Sequence, residues 1–252
     1  MTALGNGNEQ PKTGVFEVDL LFPRNETYAS SPLMQIVFPA QNLILATGLL
    51  PMIYWELWQG NNQTSAGSVS DSIQLDLDNL TASDQTLISS VVYTSAYPGG
   101  VWTFTWSVNV NNCTTVEGQP EDAHGAPAFK AKPIVFTVSK SGQAPDLVAV
   151  TSADKCDAAE SFAFNVSEWG IQCGVLGPSP TTNPCAAKID PAAASRISAA
   201  ATDFACSALD RPLHPNITCP SPTSASTGNP GMAVALTLLV LLATLTTLLH
   251  LG

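Results

Sequence analysis

Two pairs of carboxylates, Glu17/Asp19 and Asp76/Asp78, stand two residues apart, the spacing that sets both members on one face of a β-strand. Paired carboxyls are the machinery of glycoside hydrolysis, in which they flank the scissile bond at about 5–9.5 Å and one holds a raised pKa. In both pairs the intervening residues are apolar, so the carboxylates fall on the polar parity of their strands. A solvated face has no desolvation to raise a pKa, and solubilising charge is the expected role. No Gly-x-Ser-x-Gly elbow occurs, and His124 is expected in a polar, Gly/Pro-bearing loop from Glu117 to Pro127, without a partner signature. No Gly-rich phosphate loop follows a strand, so no nucleotide cofactor is expected. No catalytic residue is assigned, and the chain reads as a non-enzyme.

Cysteine chemistry is better represented. Cys113, Cys156, Cys173, Cys185, Cys206 and Cys219 form an even set, and five of the six lie after residue 150. Zinc would want close Cys/His spacings. There is no Cys-x-x-Cys, and the histidines are only His124, His214 and His250, so no metal site is expected. Three disulfides in an oxidising compartment are expected instead, with the pairing left open. Six Asn-x-Ser/Thr sequons, at Asn25, Asn62, Asn79, Asn112, Asn165 and Asn216, point to the same compartment and are candidate N-glycosylation sites.

Aromatic residues offer a third chemistry, stacking on sugar rings. Trp55, Trp102 and Trp106 fall on the apolar parity of their strands and are expected in the core. Trp58 shares the opposite face with Tyr54 and is the candidate exposed binding aromatic.

The elements that carry these residues alternate with period two in the first half of the chain. Phe16, Val18 and Leu20 share one face, as do Met34, Ile36 and Phe38, then Ile53, Trp55 and Leu57, and then Ile73, Leu75 and Leu77. After an apolar stretch from Leu87 to Tyr93 and a Pro-Gly-Gly turn comes the clearest strand, with Trp102, Phe104, Trp106, Val108 and Val110 on one side. Ile134 to Val138 follows. Seven short alternating strands between residues 14 and 140 predict a mainly β fold, an antiparallel β-sandwich of immunoglobulin-like type. Trp55 sits where that fold keeps its core Trp, although the flanking Cys pair is absent.

Residues 141–211 read as a cystine-rich extension. Ser161–Val166 offers one further strand there, and Gly177 to Pro184 is a Pro-rich loop. Asp190-Pro191 then opens a short helix with an N-cap and a first-turn proline, and Ile197, Ala201 and Phe204 are its expected buried stripe. Residues 212–231 form a Pro/Ser/Thr-rich stalk, expected to be extended and O-glycosylated.

Met232 to Leu251 contains no Asp, Glu, Lys or Arg. As a helix it would cover the roughly 30 Å of a hydrocarbon core. It is preceded by small and polar residues and followed by no basic segment, the pattern of a glycosylphosphatidylinositol (GPI) signal. Candidate attachment residues are Ser224, Ser226, Gly228 and Asn229, with Ser224 preferred for its spacer length. The opening residues 1–13 carry no basic and apolar leader, so they are expected to be a disordered start, with the secretory signal encoded upstream. A single-pass protein that keeps its C-terminal helix, or a tail-anchored cytosolic protein, are the alternatives.

The net charge is −11 and the nine basic residues are scattered, which excludes nucleic acid as a partner. The membrane, reached through a lipid or the C-terminal helix, and wall polysaccharide are the expected partners.

The segment from Gly14 through Phe16, Pro23, Arg24 and Tyr28, followed by Pro32 to Asn42, resembles a group of filamentous-ascomycete surface proteins that share an ectodomain of unknown function. The resemblance implies a GPI-anchored glycoprotein of the fungal plasma membrane or wall with a structural, adhesive or ligand-binding role. It supplies no catalytic residues. A wall polysaccharide-modifying enzyme is the alternative, and converging carboxylates in an open cleft would be its mark.

Overall fold

The computed structural model describes residues 13–31, 33–75, 86–93, 99–116, 119–125, 129–169, 173–207 and 217–220. Its elements are β1 (Gly14–Leu20), β2 (Thr27–Tyr28), β3 (Met34–Gln41), α1 (Leu43–Ala46), β4 (Met52–Gln59), β5 (Val69–Gln74), β6 (Thr86–Tyr93) and β7 (Gly100–Asn109). There follow β8 (Asn111–Val116), β9 (Gln119–Gly125), β10 (Phe129–Lys130), β11 (Ile134–Val138), β12 (Glu160–Trp169), β13 (Gly174–Leu176) and α2 (Pro191–Ala205). The stalk, the apolar tail, the anchor candidates Ser224, Ser226, Gly228 and Asn229, the sequons Asn79 and Asn216, and Asp76/Asp78 lie outside the described residues.

Period-two alternation has one physical outcome, a sheet with an apolar face that must be covered. Two such sheets cover each other here. The first runs β13-β12-β1-β3-β6; the second runs β2-β11-β7-β4-β5, with β10 also paired to β7. All pairings are antiparallel except β2 with β11. β8 and β9 form a separate two-stranded ribbon. The mainly β sandwich expected from the sequence is the fold.

The facing surfaces carry the core. Phe16, Val18 and Leu20 of β1, Ile36 and Phe38 of β3, and Phe164 and Val166 of β12 meet Ile53, Trp55 and Leu57 of β4 and Trp102, Phe104, Trp106 and Val108 of β7. Rings bridge the two sheets: Phe38 and Trp106 have centroids 5.2 Å apart, and Trp106 meets Phe162 edge-on at 4.8 Å. Trp55, Trp102 and Trp106 are all buried, as their parity predicts.

The second half of the chain is more deeply involved than its composition suggests. β12 pairs with β1 along all seven residues of β1, from Gly14↔Val166 to Leu20↔Glu160. The expected boundary at residues 140/141 is therefore not a boundary of the sandwich, because the extension supplies two strands of the first sheet. The described residues up to Cys219 form one compact unit.

α2 starts as its sequence dictates: the Asp190 carboxylate accepts from Ala193 N–H at 2.7 Å, with Pro191 in the first turn. Its buried residues are Ile197, Ala201 and Ala205. Phe204, expected in that stripe, is exposed. Spacing alone does not set it apart, since it is three from Ala201 and seven from Ile197; it stands in the last turn of α2, where Ala205 is buried instead. Buried Arg24 ties the chain after β1 to the loop before β12, donating to the carbonyls of Leu21, Val150 and Lys155 at 2.8–3.1 Å.

Candidate functional site

β4 and β7 run antiparallel at the centre of the second sheet, and directly paired residues on neighbouring strands share a face. The register therefore draws a row across four strands on the outer side: Lys130, Ser107, Tyr54 and Ser72. Beside it runs a second row of Thr105, Glu56 and Ser70. At the usual inter-strand spacing of about 4.8 Å, the four-strand row spans about 14 Å. These residues line an open groove of about 520 Å³. Tyr54 is 41% exposed, one of the few large hydrophobic residues on the surface.

The chemistry of the groove is an aromatic ring among hydroxyls. Ser70, Ser72, Thr105 and Ser107 both donate and accept hydrogen bonds, as sugar hydroxyls do. Glu56 and Lys130 contribute one charge of each sign on this face. Asp71 also borders the groove, but it pairs with Trp55 on the opposite parity, and its carboxylate accepts from Ser72 N–H at 2.7 Å. A hydroxyl-rich surface around an aromatic ring suits a polyhydroxylated ligand.

Trp58, the expected exposed aromatic, has the anticipated parity but is only 8% exposed. The turn after β4 folds back over it. Gly60 reverses the chain in the left-handed region at φ 60°, Thr103 donates to the Gly60 carbonyl, and Ser65 Oγ accepts from Gln59 N–H at 2.9 Å. What remains beside Trp58 is a smaller hollow of about 230 Å³ bordered by Gln63 and Ser68. The exposed aromatic of this face is Tyr54.

The Glu17/Asp19 pair departs furthest from expectation. Both side chains do share the outer face of the first sheet, but that face is not solvated: Glu17 is 3% exposed and Asp19 0%. The segment after β13 lies over them. Asn183 N–H donates to both Glu17 oxygens at 2.8 Å, and Gln41 Nε2 donates to Asp19 Oδ2 at 2.8 Å and to the Asn183 carbonyl at 3.2 Å. Burial, reinforced by the neighbouring Asp19 carboxyl, pushes Glu17 up to about 8. Burial also raises Asp19. Both carboxyls are buried beneath the segment that carries Asn183, so the pair does not offer the open cleft that glycoside hydrolysis needs.

The cysteines resolve into Cys113–Cys173, Cys156–Cys185 and Cys206–Cys219, with Cα separations of 5.6, 4.9 and 5.6 Å. The first ties β8 to the entry of β13, and the third pins the C-terminus of α2, as its position at the helix end suggests. Among the described residues the one cluster with metal-binding spacing is Cys156, Asp157 and Cys185, and its two sulfurs are joined in a disulfide. Asn25 and Asn62 are exposed, while Asn112 and Asn165 are half-buried. Asn112 Oδ1 accepts from Leu176 N–H at 2.9 Å. His124 falls on β9. Among the described residues no helix is long and apolar enough to cross a membrane.

One family of proteins matches the chain, over residues 11–219, and it is described as Domain of unknown function (DUF7136). No curated protein and no solved structure matches it.

Proposed function

The chain belongs to the DUF7136 family, and we propose that it is a non-catalytic extracellular glycoprotein that binds neutral polysaccharide across the outer face of its second sheet. The groove around Tyr54 carries this reading. Its rows of paired residues present a ring for stacking and hydroxyls for hydrogen bonding over about 14 Å, enough for an extended oligosaccharide rather than a single sugar. The fungal cell surface supplies the setting: three disulfides fit an oxidising compartment, and the sequons and the C-terminal tail fit a GPI-anchored glycoprotein of the plasma membrane or wall. Adhesion to, or organisation of, wall polysaccharide is the role that follows.

Catalysis is the weaker reading, because Asp71, the other carboxylate at the groove, stands on the opposite parity from Glu56 and accepts from Ser72 N–H, and the Glu17–Asp19 pair is sealed. The test is retention of the full chain, in detergent, on insoluble β-glucan and chitin. Retention on one of them, lost in Tyr54→Ala and kept in Tyr54→Phe, is the expected result. Equal retention of wild type and Tyr54→Ala would place binding elsewhere or nowhere.

A further inference from the structure

Two carboxyls held side by side without a cation are an unstable arrangement unless a proton sits between them. Glu17 and Asp19 meet that description. Their charged surroundings are sparse on every side. β3 presents the neutral Gln41, β12 places Ser161 opposite Asp19 and Ala163 opposite Glu17, and the covering segment presents the main chain of Asn183. The nearest cation of that segment in sequence, Lys188, donates instead to the Thr151 carbonyl at 2.7 Å. Asp19 Oδ1 is buried and makes no hydrogen bond at ordinary distance; the Ser161 hydroxyl beside Asp19 favours its charged form, and a proton shared with Glu17 would satisfy Oδ1.

The segment above the pair is built as a strap. Gly177 N–H is fixed to the Asn165 carbonyl at 2.8 Å at one end, and Cys185 is fixed by its disulfide to Cys156 at the other. Between them residues 178–184 include three prolines, which offer no N–H, and most of these residues are exposed. The polar ties of this stretch to the sheet are those of Asn183: its N–H to Glu17, and its carbonyl to Gln41.

We propose that the Glu17–Asp19 pair is a proton-operated latch: a proton shared between the two carboxyls keeps the 178–184 strap closed on the first sheet, and its loss lifts the strap. With that proton present the pair carries one negative charge and each carboxyl keeps its donor. Without it two like charges lie buried together, and relief comes by hydrating one of them, which requires the strap to move. Opening returns Glu17 from about 8 toward its ordinary 4.5. The opening equilibrium therefore rises by up to about tenfold per pH unit between those values and is level above them.

Hydrogen exchange of the Asn183 amide in the full chain, corrected for the intrinsic pH dependence of exchange, reads the latch directly. Protection should fall steadily from pH 5 to 8 and then level off. Glu17→Gln, whose amide accepts from Asn183 and donates to Asp19 without a titrating proton, should hold protection flat and high across that range. Corrected protection that is constant in wild type, or a pH profile unchanged in Glu17→Gln, would overturn the proposal. The carboxyl carbon resonance of Glu17 in the wild-type chain keeps the test open if the variant does not fold. Titration near 8 supports the latch, and titration near 4.5 rejects it.

Discussion

At the scale of single residues, the placement of charge decides the behaviour of this protein. Glu17 has a folded-state pKa of about 8 against an ordinary 4.5, so between those values the folded chain holds more proton than the unfolded one. Stability from this group is fully present below about 4.5 and is lost as pH rises through 8, a change on the order of a few kcal/mol. Thermal unfolding from pH 5 to 8.5 should show a falling difference between wild type and Glu17→Gln, which isolates this group from the other carboxylates. A difference that stays constant over that range would contradict the assignment. The burial of this pair was not legible locally. Alternation along β1 gives the outward parity of Glu17 and Asp19 correctly, but Asn183 of the strap that covers them lies 166 residues from Glu17 in sequence. Trp58 shows the same limit at shorter range, since its own turn folds over it. Tyr54, four residues earlier on the same face, escapes because its neighbours across the sheet are the small Ser72 and Ser107.

At the scale of elements, the central strands carry the stability. Trp106 lies at the sheet–sheet contact between Phe38 and Phe162, and Trp106→Ala should cost about 3–5 kcal/mol in denaturant unfolding. On α2, Phe204→Ser should stay within about 0.5 kcal/mol of wild type, because the ring is half in solvent and the buried stripe is completed by Ala205. A large loss at Phe204 would mean that this helix packs on another face. The strands were legible wherever an apolar period of two met clear turn residues, as in β4 and β7. β12 was legible as a strand from its Phe162, Phe164 and Val166 alternation, but not as the partner of β1, because non-local pairing leaves no mark in either segment alone. The helix start was readable from Asp190-Pro191. Its stripe was legible at Ile197 and Ala201 and departs only in the last turn, where Ala205 is buried and Phe204 exposed.

For the whole molecule, disulfides and the two sheets act together. Cys113–Cys173 spans 60 residues and joins the ribbon of β8 and β9 to the edge strand β13, so replacing both cysteines with serine should cost about 2–5 kcal/mol. Alkylation of the native protein should find no free thiol among the six cysteines, and several reactive thiols would reject an oxidising compartment. The pairing itself was beyond the sequence, because it depends on which loops the two sheets bring together. With the frame fixed in this way, the outer face of β4 and β7 presents the proposed polysaccharide site on paired central strands. Isothermal titration of the full chain with a neutral wall oligosaccharide, at low and at high salt, tests it most directly. Saturable binding that salt leaves unchanged is expected, since the ligand is uncharged, and Tyr54→Ala should weaken it at least about tenfold, or 1.4 kcal/mol. Binding that Tyr54→Ala leaves intact, or that high salt abolishes, would contradict it.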